Sequence, residues 1–257
     1  MSQPDLAWAG ALEVRPPQDI LAAAAERYAP RITFATGFGV EGCVLIDMMA
    51  RQKLPIDLFS LDTGVLFPET YELWRRLEGR YGITIRAVKP AFTLQEAQTV
   101  YDRLWERDPD RCCQVRKVLP LRAELKRFDS WITAIRRDQT PDRADAKVAE
   151  WDGKFGLVKV NPLVAWSSKD VWDYVHANEV PFNPLHEKGY PSIGCQPCTT
   201  AVAPGEDPRA GRWRGREKTE CGLHGRFTQN ATAPSASGTS FTQHATALRA
   251  SGTKGNV

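Results

Sequence analysis

No apolar run in this 257-residue sequence approaches the roughly 18 residues that a membrane span requires. The opening residues MSQPDLAWAGALEV also lack a basic stretch followed by an apolar core, the pattern of an export signal. Secretion and membrane insertion are disfavoured, and a cytoplasmic location is expected. An excess of one charge is missing too: 34 Lys and Arg face 31 Asp and Glu, for a formal net charge of +3. So small an imbalance implies no dedicated nucleic-acid surface, and any anion site must come from local clustering. No internal repeat suggests a solenoid. The rest is ordinary for a globular chain, with 42% hydrophobic and 25% charged residues. Its length suffices to remove about three quarters of the unfolded surface from water.

Strand and helix patterns alternate. After Pro16-Pro17, QDILAAAAERYA reads as a helix, with the prolines where a missing N–H costs least. RITFAT (Arg31 to Thr36) reads as a strand, followed by the turn GFGVEG and the apolar helix CVLIDMMARQ. IDLFSLD (Ile56 to Asp62), the helix PETYELWRRLEGRYG and the strand ITIRAVK (Ile83 to Lys89) repeat the unit. Helices are expected over Leu94 to Leu104 and, after the cysteine pair, over Val115 to Phe128; SWITAIRR (Ser130 to Arg137) and KFGLVKVNPL read as strands. SSKDVWDYVHAN carries a Ser cap and an acidic first turn, as a helix start prefers. This order argues for an α/β fold with an open, mostly parallel sheet and helices on both faces.

From Val180 the chain turns rich in Pro and Gly, which suits loops around a site. Residues 228–257 hold Ser, Thr, Ala and Gly with few large apolar side chains, and that tail is expected to be disordered. Residues 1–227 are expected to form a single domain, ending in a flexible segment over about 200–227.

Six cysteines in a chain without an export signal point to metal or catalysis before disulfides. Cys195 and Cys198 form C-x-x-C, a spacing that offers two sulfurs to one metal centre. Adjacent Cys112 and Cys113 suit one small ion poorly and a multi-iron cluster better. A structural zinc site, or two buried thiols beside an unrelated C-x-x-C, remains an alternative. Cys43 lies in an apolar helix and reads as packed core. Cys221 stands in the polar stretch KTECGLHGRF, where basic neighbours favour the nucleophilic thiolate.

Anion-binding groups accompany the cysteines. The turn TGFGVEG, with Thr36, Gly37 and Gly39, can present backbone N–H groups and a helix start to an anion. Leu61, Asp62, Thr63 and Gly64 end the second strand, where open α/β sheets bind ligands. PRAGRWRGREK supplies Arg209, Arg212, Arg214, Arg216 and Lys218; such a run is usually a solvated surface, but it could also close over a charged substrate. Lys117, Arg136 and Arg137 add cations at the ends of other elements, and His224 follows Cys221 closely. His176 and His186 carry no partner pattern and read as structural.

From about Ile32 to Phe227 the sequence resembles the assimilatory adenylyl-sulfate (APS) reductases, relatives of the 3'-phosphoadenylyl-sulfate (PAPS) reductases. The likeness rests on R-C-C-Q-V-R-K at 111–117, G-C-Q-P-C-T at 194–199, R-A-G-R-W at 209–213 and E-C-G-L-H at 220–224. L-D-T-G at 61–64 and R-R-D-Q at 136–139 support it. The resemblance implies an adenine nucleotide alpha hydrolase-like fold and a [4Fe-4S] cluster on Cys112, Cys113, Cys195 and Cys198. It also implies Cys221 as the nucleophile that takes up the sulfur of APS as an S-sulfonate and releases AMP. Thioredoxin or a similar dithiol protein, expected as a separate chain, would then free sulfite. The PAPS branch typically lacks the four cluster cysteines, which favours APS. The phosphate loop T-G-F-G-V-E departs from the serine and acidic pair common in relatives, and Val65 stands where a basic residue is frequent. The loop also lacks the S-G-G-x-D-S text of ATP pyrophosphatases. An ATP-using sulfur transferase of the same fold and a non-catalytic zinc or nucleotide-binding module are the other classes left open, as is a homo-oligomeric state.

Overall fold

The computed structural model describes residues 5–91, 103–218 and 220–223. Six strands form one sheet: β1 (Ile32–Thr36), β2 (Asp57–Leu61), β3 (Arg86–Val88), β4 (Ser130–Ile132), β5 (Ala149–Asp152) and β6 (Leu157–Val160). Their order is β3-β2-β1-β4-β6-β5, with every neighbouring pair parallel except β5 against β6. The open, mostly parallel α/β sheet expected from the sequence is therefore present. The chain builds outward from β1 in one direction and from β4 in the other, so the crevice between their carboxyl ends is the topological switch point, where such sheets bind ligands.

Around it run helices α1 (Ala7–Gly10), α2 (Pro17–Tyr28), α3 (Val40–Arg51), α4 (Pro68–Tyr81), α5 (Leu104–Arg107), α6 (Pro109–Cys113), α7 (Leu119–Leu125) and α8 (Ser168–Ala177). Strand alternation divides the core into two layers, because successive side chains face opposite sides of a sheet. Leu58, Ile132 and Val158 join the larger cluster with α2, α3, α4 and α8, whereas Phe59, Trp131 and Leu157 join the smaller one with Leu121 and Leu125 of α7. Cys43 is fully buried in the larger layer, and burial pushes its thiol well above the ordinary value. Among the described residues no helix is long and apolar enough to cross a membrane.

Three boundaries and one strand differ from expectation. The helix expected from Val115 begins at Pro109, because Asp108 caps it by accepting from the Arg111 N–H at 2.8 Å and Pro109 fills the first position. The cysteine pair therefore lies inside a helix, not ahead of it. β4 ends at Ile132 and β3 spans only Arg86–Val88, both shorter than their apolar runs. β5 went unforeseen: it is an antiparallel edge strand whose AEWD has only one consistently apolar face. Of the helix expected over Leu94 to Leu104, residues 94–102 lie outside the described residues, as does the tail at 228–257; Leu104 opens α5.

Candidate functional site

Two walls of one cleft carry the paired cysteines. On the first, α6 presents Cys112 and Cys113, both buried, and runs straight into a π-helical turn, Gln114–Val118, before α7 resumes. Such widened turns are frequent at functional sites. On the second, the loop after β2 pairs with the C-x-x-C segment: Leu66 bridges Cys195 antiparallel, and the Gln196 N–H donates to the Val65 carbonyl at 2.8 Å. The Thr63 hydroxyl lies 3.3 Å from the Cys195 sulfur. Cys112, Cys113, Cys195 and Cys198 thus line the same cleft with Trp105 and Trp213, and all four are free thiols. Two sequence pairs some 80 residues apart become one quartet.

Burial pushes the Cys112 thiol up to about 11 and the Cys113 thiol up to about 12, and raises that of Cys198. Cations face them. Burial by itself would lower the Lys117 ammonium, but Cys195 and Cys221 nearby outweigh it, so the group is held above its ordinary value. Arg116, buried, donates to the Thr63 carbonyl at 3.1 Å and ties the two walls together. Burial lowers Arg212, with Cys221, Cys195 and Cys198 opposing that shift. Two buried donors here have no acceptor among the described residues, Nε of Arg212 and Nε1 of Trp213.

R-A-G-R-W reaches the cleft through a close backbone approach. Arg212 bridges Thr199, the Trp213 N–H donates to the Cys198 carbonyl at 3.0 Å, and the Thr200 N–H donates to the Gly211 carbonyl at 2.9 Å. A Cβ at Gly211 would run into the Thr200 carbonyl, so glycine is required there. Arg209 pairs with Glu220 at 3.3 Å. Arg214 is bound instead to Glu206, at 2.9 Å, on the exposed outer side.

Glu220 and Cys221 follow, both partly buried. Glu220 also pairs with Arg143 at 3.0 Å, whose guanidinium is lowered by burial against the pull of Glu220. From there a polar chain runs back to the switch point. Arg143 donates to Gln139, the Gln139 amide donates to Glu41 at 2.9 Å, and Arg136 is gripped by Glu41 and, at 2.9 Å, by Asp138. Glu41 stands in the first turn of α3, just past the glycine turn. In that turn Thr36 accepts from the Phe38 N–H at 3.1 Å, Gly39 caps α3, and Gly37 is open.

The remaining candidates sit as follows. At the end of β2, beyond Leu61, Asp62 accepts from the Tyr71 hydroxyl at 2.7 Å and from the Gly64 N–H at 3.0 Å, so it shapes its own loop. Arg137 is committed to Glu13 at 2.7 Å and to the Ala146 carbonyl at 2.8 Å. His224 lies outside the described residues. Sequence reasoning passed over Arg116, Arg143, Glu220 and Trp213. Arg116 was legible, being one position from Lys117 in the same motif; Arg143 follows a prolyl turn and carries no pattern of its own.

A family model described as the phosphoadenosine phosphosulfate reductase domain matches residues 31–201. The chain is 49% identical over 199 residues to adenosine 5'-phosphosulfate reductase 1 of Bacillus subtilis, covering 77% of this chain and 85% of that protein. It is 43% identical over 212 residues to a phosphoadenosine 5'-phosphosulfate reductase of Gloeobacter violaceus, covering 81% and 88%. Among solved structures, the phosphate complex of phosphoadenylyl-sulfate (PAPS) reductase from Candida auris superposes with a TM-score of 0.68 at 30% identity, covering 78% of this chain and 99% of that one.

Proposed function

This chain belongs to the phosphoadenosine phosphosulfate reductase family, and we propose that it reduces adenylyl sulfate to sulfite and AMP, the reductive step of assimilatory sulfate use. One observation carries the choice of nucleophile: Cys221 sits among Lys117, Arg143 and Arg212, beside the cleft of the four other site cysteines. A cysteine sulfur among cations is suited to meet an anionic substrate, and the same cations offset charge on the phosphosulfate.

The Cys221 thiolate attacks the sulfur of APS. A sulfur–sulfur bond forms, the bond from that sulfur to the bridging phosphate oxygen breaks, and AMP leaves with the electron pair. The S-sulfonate on Cys221 is then attacked at its Sγ by a protein dithiol of the thioredoxin kind. Sulfite departs with the electrons of the sulfur–sulfur bond, the dithiol ends as a disulfide, and Cys221 regains its thiol. Arg209 and Arg212 are the side chains we assign to the phosphosulfate, since guanidinium forks match its oxygens. The backbone of the glycine turn at 37–39 is assigned to the nucleotide phosphate. A cytoplasmic setting, where dithiol reductants stay reduced, fits this chemistry.

The same cleft fits a [4Fe-4S] group held by Cys112, Cys113, Cys195 and Cys198. Orphaned donors on Arg212 and Trp213 suit sulfur acceptors, and the cations at Lys117 and Arg116 suit a thiolate-rich centre. When bound, the group would supply a cysteine-ligated charge centre that fixes the two walls of the cleft. The chain's own residues do the substrate chemistry.

Labelled APS added to anaerobically purified protein without reductant should leave label on the Cys221 peptide, and thioredoxin should release it as sulfite. Cys221→Ser should keep its visible absorption and bind AMP without taking label. Label on Cys43, or a colourless protein with about one zinc, would overturn the corresponding part of this reading. PAPS in place of APS tests the substrate, and faster labelling by PAPS would reverse that assignment.

A further inference from the structure

The reaction proposed above depends on the position of one thiol in a short segment, and the structure gives that segment an anchor on each side. Upstream, Glu220 is bound by Arg143 and Arg209. Downstream, the anchor comes from the β5–β6 hairpin, a part of the fold that lies outside the family motifs quoted above. At its turn, Asp152 accepts from the Lys154 N–H at 3.0 Å and the Phe155 N–H at 3.3 Å, which fixes the backbone of the turn. The Lys154 ammonium donates to the carbonyl of Gly222. Phe155 packs edge-on against Trp131 at 5.6 Å, and Leu223 joins the same apolar cluster. Gly222 itself has φ +81°, a left-handed conformation that glycine adopts without penalty and that turns its carbonyl toward the lysine.

The geometry points to Lys154 as a positioning residue for Cys221: it fixes the peptide that follows the nucleophile, while the arginine pair fixes the residue before it. Neither Lys154 nor Gly222 belongs to the glycine turn, the loop after β2 or the arginine segment. Lys154 should therefore govern the rate of thiol attack and leave nucleotide affinity alone. Misplacing a reacting atom by about an ångström is enough to cost around a hundredfold in rate. Lys154 is only partly buried, at the tip of a hairpin, so its replacement leaves both core layers intact.

This inference rests on the APS reading, and the test separates the two. Single-turnover transfer of label from APS to Cys221 is measured on full-length protein carrying its cluster, as wild type, Lys154→Met and Lys154→Arg, with AMP affinity measured in parallel. At saturating APS, Lys154→Met should label about ten to a hundred times more slowly than wild type with AMP affinity unchanged. Lys154→Arg, which keeps a cationic donor, should recover most of the rate. A wild-type rate in Lys154→Met, or AMP affinity falling in step with the rate, overturns the positioning role while leaving Cys221 chemistry in place. Equal loss in the Met and Arg variants overturns it as well. Failure of wild type to take label at all removes the underlying reading.

Discussion

The hydroxyl of Thr63 lies 3.3 Å from the sulfur of Cys195, so the loop ending β2 and the C-x-x-C segment meet through a side chain as well as through the Leu66–Cys195 bridge. A partner that orients a metal ligand typically contributes ten- to a hundredfold in metal affinity. Thr63→Val keeps the shape and loses the hydroxyl. If the proposed cluster is bound, the variant should fold normally but lose iron to a chelator about tenfold or more faster than wild type, with Thr63→Ser close to wild type. Equal iron retention in the Val variant would show that the contact does not support the ligand.

The two arginines flanking Trp213 should behave differently. Arg212 is drawn into the cleft with its Nε unpartnered among the described residues, whereas Arg214 is spent on Glu206. Arg212→Ala should cost about 1.5–3 kcal/mol in kcat/KM for APS, the scale of a charge-assisted hydrogen bond. Arg214→Ala should stay within about twofold of wild type, as expected for an exposed ion pair. Similar small losses at both positions would mean a diffuse field in place of a directed contact.

Gly211→Ala tests the backbone approach that delivers Arg212. Its Cβ meets a main-chain carbonyl, that of Thr200, which cannot swing aside as a side chain would. Forced displacement of this kind costs about 1–3 kcal/mol, and thermal unfolding should report it as a lower Tm. An unchanged Tm would show that the 200–212 pairing relaxes freely.

His186 supplies a pH dependence. Its ring packs on Trp172 at 5.6 Å and on Phe182 at 6.5 Å, its Nε2 is buried without a partner among the described residues, and burial holds its pKa below the ordinary 6.5. The unfolded chain binds the proton more readily, so this contribution to stability is complete above pH 6.5 and is lost as pH falls below it. Tm measured at falling pH should decline more steeply for wild type than for His186→Gln, which does not titrate. Parallel profiles would remove the assignment.

Much of this was legible in the sequence because it is local. The order of elements follows from period-2 and period-3.6 apolar patterns, which depend only on how side chains alternate along a strand or a helix. The Ser167 cap of α8 and the α4 stop at Gly82 follow from terminal backbone groups that nearby residues must satisfy. The motif text around Cys112, Cys195 and Cys221 singles out these thiols as candidates without any geometry. Local reading failed where the chain folds back on itself. β5 is a strand only because β6 pairs with it, and β4 stops at Ile132 although its apolar text runs on. Only tertiary structure decided that Arg136 is gripped by Glu41 and Asp138, that Arg143 meets Glu220, and that Lys154 reaches Gly222. Those partners lie 95, 77 and 68 residues apart for Glu41, Glu220 and Gly222. Charge on a side chain states what it can bind, but the partner is set by which loops the sheet order brings to the same edge.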